Sequence, residues 1–267
     1  MSAIASQNLQ IAYDGKIIVP DLSVTFLLGE ITALLGPNGS GKSTVLRTLA
    51  RLIPANKGAI YLNGRNITQI PTKELARKLT ILPQSSEAPP SVTVWELIGY
   101  GRYPHQNLLG GFSAKDITAM EWALAVTGLE PLADRIVDSL SGGERQRAWI
   151  AMALAQQTQV LLLDEPTTFL DIRHQIEVLG LVRRLNQEHG ITVGWVLHDL
   201  NQAAAYSDRL IMLKQGTVVA VGTPKQVITA STIQQVFDVE MTVIPHPTNG
   251  YPTCLPCHLG IPKGGRC

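Results

Sequence analysis

Cysteine is scarce in this chain of 267 residues, and all three, Cys254, Cys257 and Cys267, fall in the last fourteen positions. A disulfide framework for the main body is excluded, so the fold must rest on its core. Charge is thin too, at 16% of residues, below the ordinary quarter or so. It is also balanced, with 22 Lys and Arg against 21 Asp and Glu for a formal +1. A general nucleic-acid binder or a polybasic membrane anchor needs a basic excess, so both are excluded, and any bound anion must be held locally. No apolar run approaches the roughly 18 to 20 residues that span a bilayer. The opening MSAIASQNLQIAYDG has neither the basic start nor the apolar core of a secretory signal. A cytosolic protein is expected.

What the chain does have is apolar content, 45% of residues, enough for a sizeable core with some apolar surface left for a partner; disorder as the main state is excluded. The length suits one large α/β core plus an appendage. Residues 7 to 28 read as strands, since Leu22, Val24, Phe26 and Leu28 alternate with their neighbours. Asn63-Gly64 after Ile60 and Leu62 signals a hairpin. The runs ITALLG, QVLLLDE and ITVGWVLHD, each followed by helical texture, argue for buried parallel strands with crossover helices. From about 85 to 140 strand signals fade. Thr93-x-x-Glu96 and Ser113-x-x-Asp116 mark helix starts, the second with Ile117, Met120 and Leu124 on one face and Gly128 as its stop. This stretch is read as a helical insertion. RLIMLKQGTVVAVGTP predicts two short strands around Gln215-Gly216, and the tail from Pro245 lacks periodicity.

Gly36-Pro37-Asn38-Gly39-Ser40-Gly41-Lys42-Ser43-Thr44 stands between the strand-like ITALL and the helix-like VLRTLARL, the setting a phosphate-binding loop requires. Glycines let the backbone curl its N–H groups around phosphate oxygens, and the helix adds its positive end. Lys42 reaches β- and γ-phosphates, the Ser43 hydroxyl suits Mg²⁺, and Thr44 supplies a second hydroxyl. QVLLLDEP ends a buried strand with two acids on opposite sides. Asp164 is assigned to Mg²⁺ and Glu165 to polarising the hydrolytic water as general base. Leu140-Ser141-Gly142-Gly143-Glu144 precedes a second helix-like run, which makes another anion cradle or an ordinary cap. Two such helix ends of one domain cannot easily enclose one γ-phosphate, whereas a second copy about a two-fold axis can supply the other. A nucleotide-sandwich homodimer is expected.

Gly36 to Thr44, Gln84, LSGGERQR, LLLDEP, TTFLD and His198 together resemble the ATP-binding subunits of ABC transporters over residues 7 to 225. The resemblance implies an α/β P-loop NTPase core with a mainly parallel sheet, an N-terminal antiparallel β subdomain and the helical insertion. It implies ATP and Mg²⁺ as ligands, Gln84 as the residue linking Mg²⁺ to the insertion, Asp171 as the acid meeting the partner subunit, and His198 as a switch histidine at the γ-phosphate. Tyr13 matches the aromatic that stacks on adenine; packing is its alternative. His105, His174, His189, His246 and His258 are read as surface or packing residues. With no span of its own, such a subunit needs membrane permease partners and, through them, a substrate-binding protein, and it sits at the cytoplasmic face of the membrane.

LPQ, VTVWELIGYGRYPHQ, LDEPTTFLDI-x-HQIE and VLHDLNQAAAYSD are further similar to ATPases of ferric siderophore and iron-dicitrate importers, with cobalamin and haem importers sharing much of this wording. Import of an iron chelate is therefore expected. A soluble non-transport ATPase of the superfamily is disfavoured by the single motif set and the near-zero charge. A regulator without turnover is disfavoured by intact Lys42, Asp164 and Glu165. The ATPase domain is taken as 1–240 and the tail as 241–267. Cys254, Cys257, His258 and Cys267 have the form of a metal site, but the tail is expected to be reduced and unstructured.

Overall fold

The computed structural model describes residues 1–13, 15–84, 88–106 and 111–257. The chain opens with β1 (Ser2–Tyr13), β2 (Lys16–Leu22) and β3 (Thr25–Leu27), with β2 and β3 both antiparallel to β1. Leu22, Val24 and Phe26 are buried as their alternation requires, but Leu28 is exposed. Gly29, at φ +73°, turns the chain into β4 (Ile31–Leu35) before the pattern can continue. After α1 (Lys42–Leu49), the strands β5 (Lys57–Leu62) and β6 (Arg65–Asn66) flank the expected hairpin. Its turn residues Asn63 and Gly64 have φ +49° and +78°, the left-handed pair that matches strand twist. These strands form an antiparallel sheet in the order β2-β1-β5-β6, with β3 also on β1.

Next come α2 (Thr72–Ala76) and β7 (Leu79–Leu82), then α3 (Val94–Tyr100) and α4 (Ala114–Thr127). Thr93 with Glu96 and Ser113 with Asp116 make complete capping boxes, and Gly128 closes α4 in the left-handed region. Ile117 corrects the expected face, because it is exposed. The buried stripe of α4 runs through Asp116, Ala119, Met120, Ala123, Leu124 and Thr127. Arg102 Nε donates to Asp116 Oδ1 at 2.8 Å in a buried pair. An ion pair thus takes a core position that periodicity reserves for an apolar residue, turning Ile117 outward.

The remaining body comprises α5 (Gly142–Ala155), β8 (Val160–Asp164), α6 (Ile172–His189), β9 (Thr192–Val196), α7 (Leu200–Tyr206), β10 (Arg209–Lys214) and β11 (Thr217–Gly222). The second sheet runs β11-β10-β4-β9-β8-β7, parallel throughout except for the β11 edge. β4, β8 and β9 are buried at every position, which is why they read as unbroken apolar runs. One face packs against α3 to α7, the other against α1 and the antiparallel sheet. This is the expected α/β architecture.

The chain ends with α8 (Pro224–Val227), α9 (Ala230–Phe237), β12 (Met241–Pro245) and β13 (Pro252–Pro256). The expectation of an unstructured tail is overturned for 241–257. β12 and β13 pair antiparallel from Met241–Pro256 to Pro245–Pro252. The prolines sit at the ends of a two-stranded ribbon, where a missing N–H is tolerated. Cys254 is buried, its N–H donating to Asn201 Oδ1 of α7 at 2.7 Å. His258 and Cys267 lie outside the described residues, and among those described no three His, Cys, Asp or Glu side chains group as metal ligands.

Candidate functional site

β4 must turn sharply into α1. Gly36 does so at φ +148°, where a Cβ would collide with the Leu213 carbonyl, so only glycine fits. Gly41, at φ +94°, is the N-cap of α1 and brings no capping side chain. The first-turn amides of α1 therefore remain available at the positive end of the helix. Gly216 N donates to Ser40 O at 3.0 Å, pinning the loop from behind. Lys42 Nζ donates to the carbonyls of Gly36 at 2.9 Å and Pro37 at 3.0 Å, folding the ammonium back across the loop. Burial lowers the Lys42 pKa, with Glu165 and Asp164 opposing it. Ser40 Oγ is buried with no hydrogen-bond partner among the described residues.

β8 brings the acids. Asp164, its last residue, is 1% exposed and accepts from Ser43 Oγ at 2.6 Å and Arg47 Nε at 3.2 Å. Glu165 lies just past the strand at φ +54°, a strained conformation for a residue with a Cβ. Strand alternation, from which opposite aims were expected, therefore extends only to Asp164, and the aim of Glu165 is set by this left-handed turn. Gln84 Nε2 donates to Glu165 Oε2 at 2.6 Å and Thr168 Oγ1 does so at 3.1 Å. His198 Nε2 lies 2.8 Å from Glu165 Oε1. His198 itself is the last residue before Asp199, the N-cap of α7.

These groups line a cleft of about 550 Å³ formed by Asn38, Gly39, Gly41, Lys42, Ser43, Thr44, Gln84, Glu165, Thr168 and His198. A phosphate-sized anion meets amides and an ammonium at one wall and a carboxylate, an amide and an imidazole at the other. Ser43 Oγ beside Asp164 Oδ1, with Gln84 across the cleft, is an all-oxygen donor set of the type a hard divalent cation takes.

Other expected residues lie outside this cleft. Ser141 caps α5 in a box with Glu144: Glu144 N donates to Ser141 Oγ at 3.3 Å and Ser141 N to Glu144 Oε2 at 2.9 Å. Ser141 opens instead onto a second groove of about 600 Å³ beside Arg147 and His174. A Cβ on Gly143 would collide with the His174 ring. Asp171 caps α6, accepting from His174 N at 2.9 Å and facing His174 Nδ1 at 3.0 Å. His174, expected to be a surface or packing residue, thus joins Asp171 to the Ser141-Gly142-Gly143 turn. Tyr13 ends β1 opposite Lys16, partly exposed, on the hairpin whose Ile18 and Val19 lie against Gly41.

Arg47, Thr168 and His174 are the contacts that sequence reasoning missed. Arg47 stands four residues after Ser43, one helical turn along the same face of α1, and Thr168 and His174 stand three residues after Glu165 and Asp171. Those spacings were the available signals.

A family model described as ABC transporter matches residues 19–168. The iron(3+)-hydroxamate import ATP-binding protein of Bacillus subtilis (strain 168) is 48% identical over 255 residues, covering 96% of this chain and 95% of that protein. The ferric enterobactin transport ATP-binding protein of Escherichia coli (strain K12) is 45% identical over 263 residues, covering 98% and 97%. Among solved structures, a dimeric bacterial ABC transporter cassette superposes with a TM-score of 0.72 at 29% identity, covering 82% of this chain and 98% of that one.

Proposed function

Because the chain belongs to the ABC transporter family, we propose that it is the ATP-hydrolysing subunit of an importer for ferric siderophores or related iron(III) chelates. The observation carrying the hydrolytic part is the grip on Glu165. A left-handed carboxylate at the end of a buried strand is held by Gln84, Thr168 and His198 at the mouth of a phosphate loop. The cargo follows from the relatives, whose names cite hydroxamate and enterobactin chelates.

The mechanism proceeds from what each residue does. Gly36 to Thr44 wrap the phosphates with backbone amides, and Lys42 neutralises charge on the β- and γ-oxygens. Ser43, Asp164 and Gln84 would hold Mg²⁺, which supplies charge neutralisation at the terminal phosphates. Glu165 takes a proton from the attacking water, and His198 donates to the γ-phosphate while keeping Glu165 aimed. Tyr13 stacks on adenine. Ser141, Gly142, Gly143 and Asp171 serve a second copy of the chain, each copy's α5 N-terminus completing its partner's site. That reading is supported by their position outside the cleft and by the dimeric cassette.

Among the described residues no helix is long and apolar enough to cross a membrane. The path for cargo is supplied by permease subunits that dock on the helical insertion, with the ATPase dimer at the cytoplasmic face and a substrate-binding protein delivering the chelate. Co-expression with a cognate permease and binding protein, in sealed vesicles, tests this. ATP-dependent uptake of ⁵⁵Fe-hydroxamate or ⁵⁵Fe-catecholate is expected. Uptake of cobalamin or haem in place of iron chelates reassigns the cargo, and ATP turnover without any uptake refutes the importer reading.

A further inference from the structure

His198 and Glu165 meet at 2.8 Å from two segments that are distant in sequence. Glu165 opens the loop 165–171 that leaves β8, and His198 precedes α7. A chain of hydrogen bonds ties those two segments together away from the cleft. Gln175 of α6 donates through Nε2 to the Leu170 carbonyl at 2.9 Å, inside the 165–171 loop. Gln202 of α7 donates through Nε2 to Gln175 Oε1 at 2.7 Å. The Gln202 backbone N–H donates to Asp199 Oδ1 at 2.8 Å, closing the α7 cap directly after His198. The orientation of both amides is determined by chemistry: the Leu170 carbonyl can only accept, so Gln175 presents its oxygen to Gln202, which must donate. A second clamp holds the same turn, since Asn201 accepts from Cys254 N at 2.7 Å and donates to Cys254 O at 3.3 Å, fastening α7 to β13.

We propose that Gln175 and Gln202 are positioning residues for hydrolysis. Their paired amides strap the loop carrying Glu165 to the turn carrying His198, and so set the separation of the two groups. The contacts form a closed ring: Glu165 to His198, along the chain to Asp199, to Gln202, to Gln175, to Leu170, and back along the loop to Glu165. Neither glutamine lines the cleft, so their effect on hydrolysis runs through the groups they position. Opening the strap lets α7 turn relative to the loop, which slackens the grip on Glu165 while leaving the phosphate loop and Lys42 in place. The proposal rests on the ATPase reading above.

The test measures ATP turnover of the full-length chain in complex with its permease, as kcat and KM separately. Gln202→Glu puts an acceptor against an acceptor. It is expected to lower kcat about three- to tenfold, as loss of one hydrogen bond implies, with KM for ATP unchanged within about twofold. Gln202→Lys keeps a donor and is expected to retain at least about half of kcat. In a cycle of Gln175→Ala, Gln202→Ala and the double variant, the double variant is expected to lose no more than the worse single one. Unchanged kcat in Gln202→Glu, equal losses in the Glu and Lys variants, or additive losses in the alanine cycle each overturn the strap. If Gln202→Glu does not fold, the alanine cycle decides. A wild-type complex that hydrolyses no ATP removes the ATPase reading, and the strap with it; an active wild type with indifferent variants removes the strap alone.

Discussion

Replacing Glu165 by Gln separates catalysis from folding, because the structure puts different magnitudes on the two. The carboxylate has three neighbours: Gln84 and Thr168 donate to Oε2, and His198 Nε2 lies by Oε1. An isosteric amide keeps its oxygen toward the two donors and turns its NH₂ toward His198, which accommodates it by changing tautomer. One contact is rearranged and none is orphaned, so the fold should lose only about 1 kcal/mol, a melting shift of about 2–4 °C for a chain of this size. Loss of a general base, by contrast, lowers turnover about 10²- to 10⁴-fold, or about 3–5.5 kcal/mol in the barrier. Phosphate release by the permease complex, ATP binding by equilibrium dialysis and thermal melting measure the three quantities on one preparation. The expected result is near-normal binding, a small melting shift and turnover down at least a hundredfold. With ATP retained, the variant should also accumulate as a dimer on size exclusion. Near-normal turnover would refute the role of Glu165, and a strictly monomeric ATP-saturated variant, alone and in the complex, would refute the shared site.

Other outcomes follow from single contacts. Gly143→Ala must displace the His174 ring; ATP binding by the single chain should hold while turnover falls about ten- to a hundredfold, and equal losses in both would show that the turn serves only folding. Burial alone would raise the Asp116 carboxyl, but hydrogen bonds from Ser113 and Arg102 outweigh it and bring it from 3.8 to about 2. A depressed carboxyl contributes stability above its unfolded pKa, so about 2 kcal/mol should be lost as pH falls from about 4 to 2. Urea melts of wild type and Arg102→Ala across that range check this; the variant should already be about 3–5 kcal/mol weaker at pH 7, and identical pH profiles would contradict it. Burial, aided by Asp199, pushes the Cys254 thiol up to about 11. At pH 8 about one molecule in a thousand is thiolate, so iodoacetamide should spare Cys254 in the native protein and modify it in guanidinium, as mass spectrometry would read; rapid native labelling would show the C-terminal hairpin to be open.

Much of the site was legible because its signals are local. The phosphate loop is nine consecutive residues with glycines at turning points, and the capping boxes of α3 and α4 each span four. The buried strands ITALL, VLLLD and TVGWV announce themselves because burial on both faces leaves no polar position. Misreadings arose where a contact from afar replaced a local preference. Asp116 took a core position because Arg102 reached it, the proline-punctuated tail became a hairpin because Asn201 pairs with Cys254, and His174 acquired a role because Gly143 leaves room for its ring.

The residue types, their order and their local conformations were therefore settled by the chain itself: glycines where φ must be positive, capping acids at helix starts, and two adjacent carboxylates closing an apolar strand. Which groups meet was decided only by the tertiary structure. Gln84 and Glu165 are 81 residues apart, and they touch because β7 and β8 are neighbours in the parallel sheet. Arg47 reaches Asp164 because α1 packs on the face of the sheet that the last residue of β8 addresses. Ser141 stays out of its own chain's cleft because α5 starts elsewhere. Periodicity and spacing extend over a helical turn or a strand, whereas strand order and helix docking are global minima of packing, and short-range preferences do not encode them.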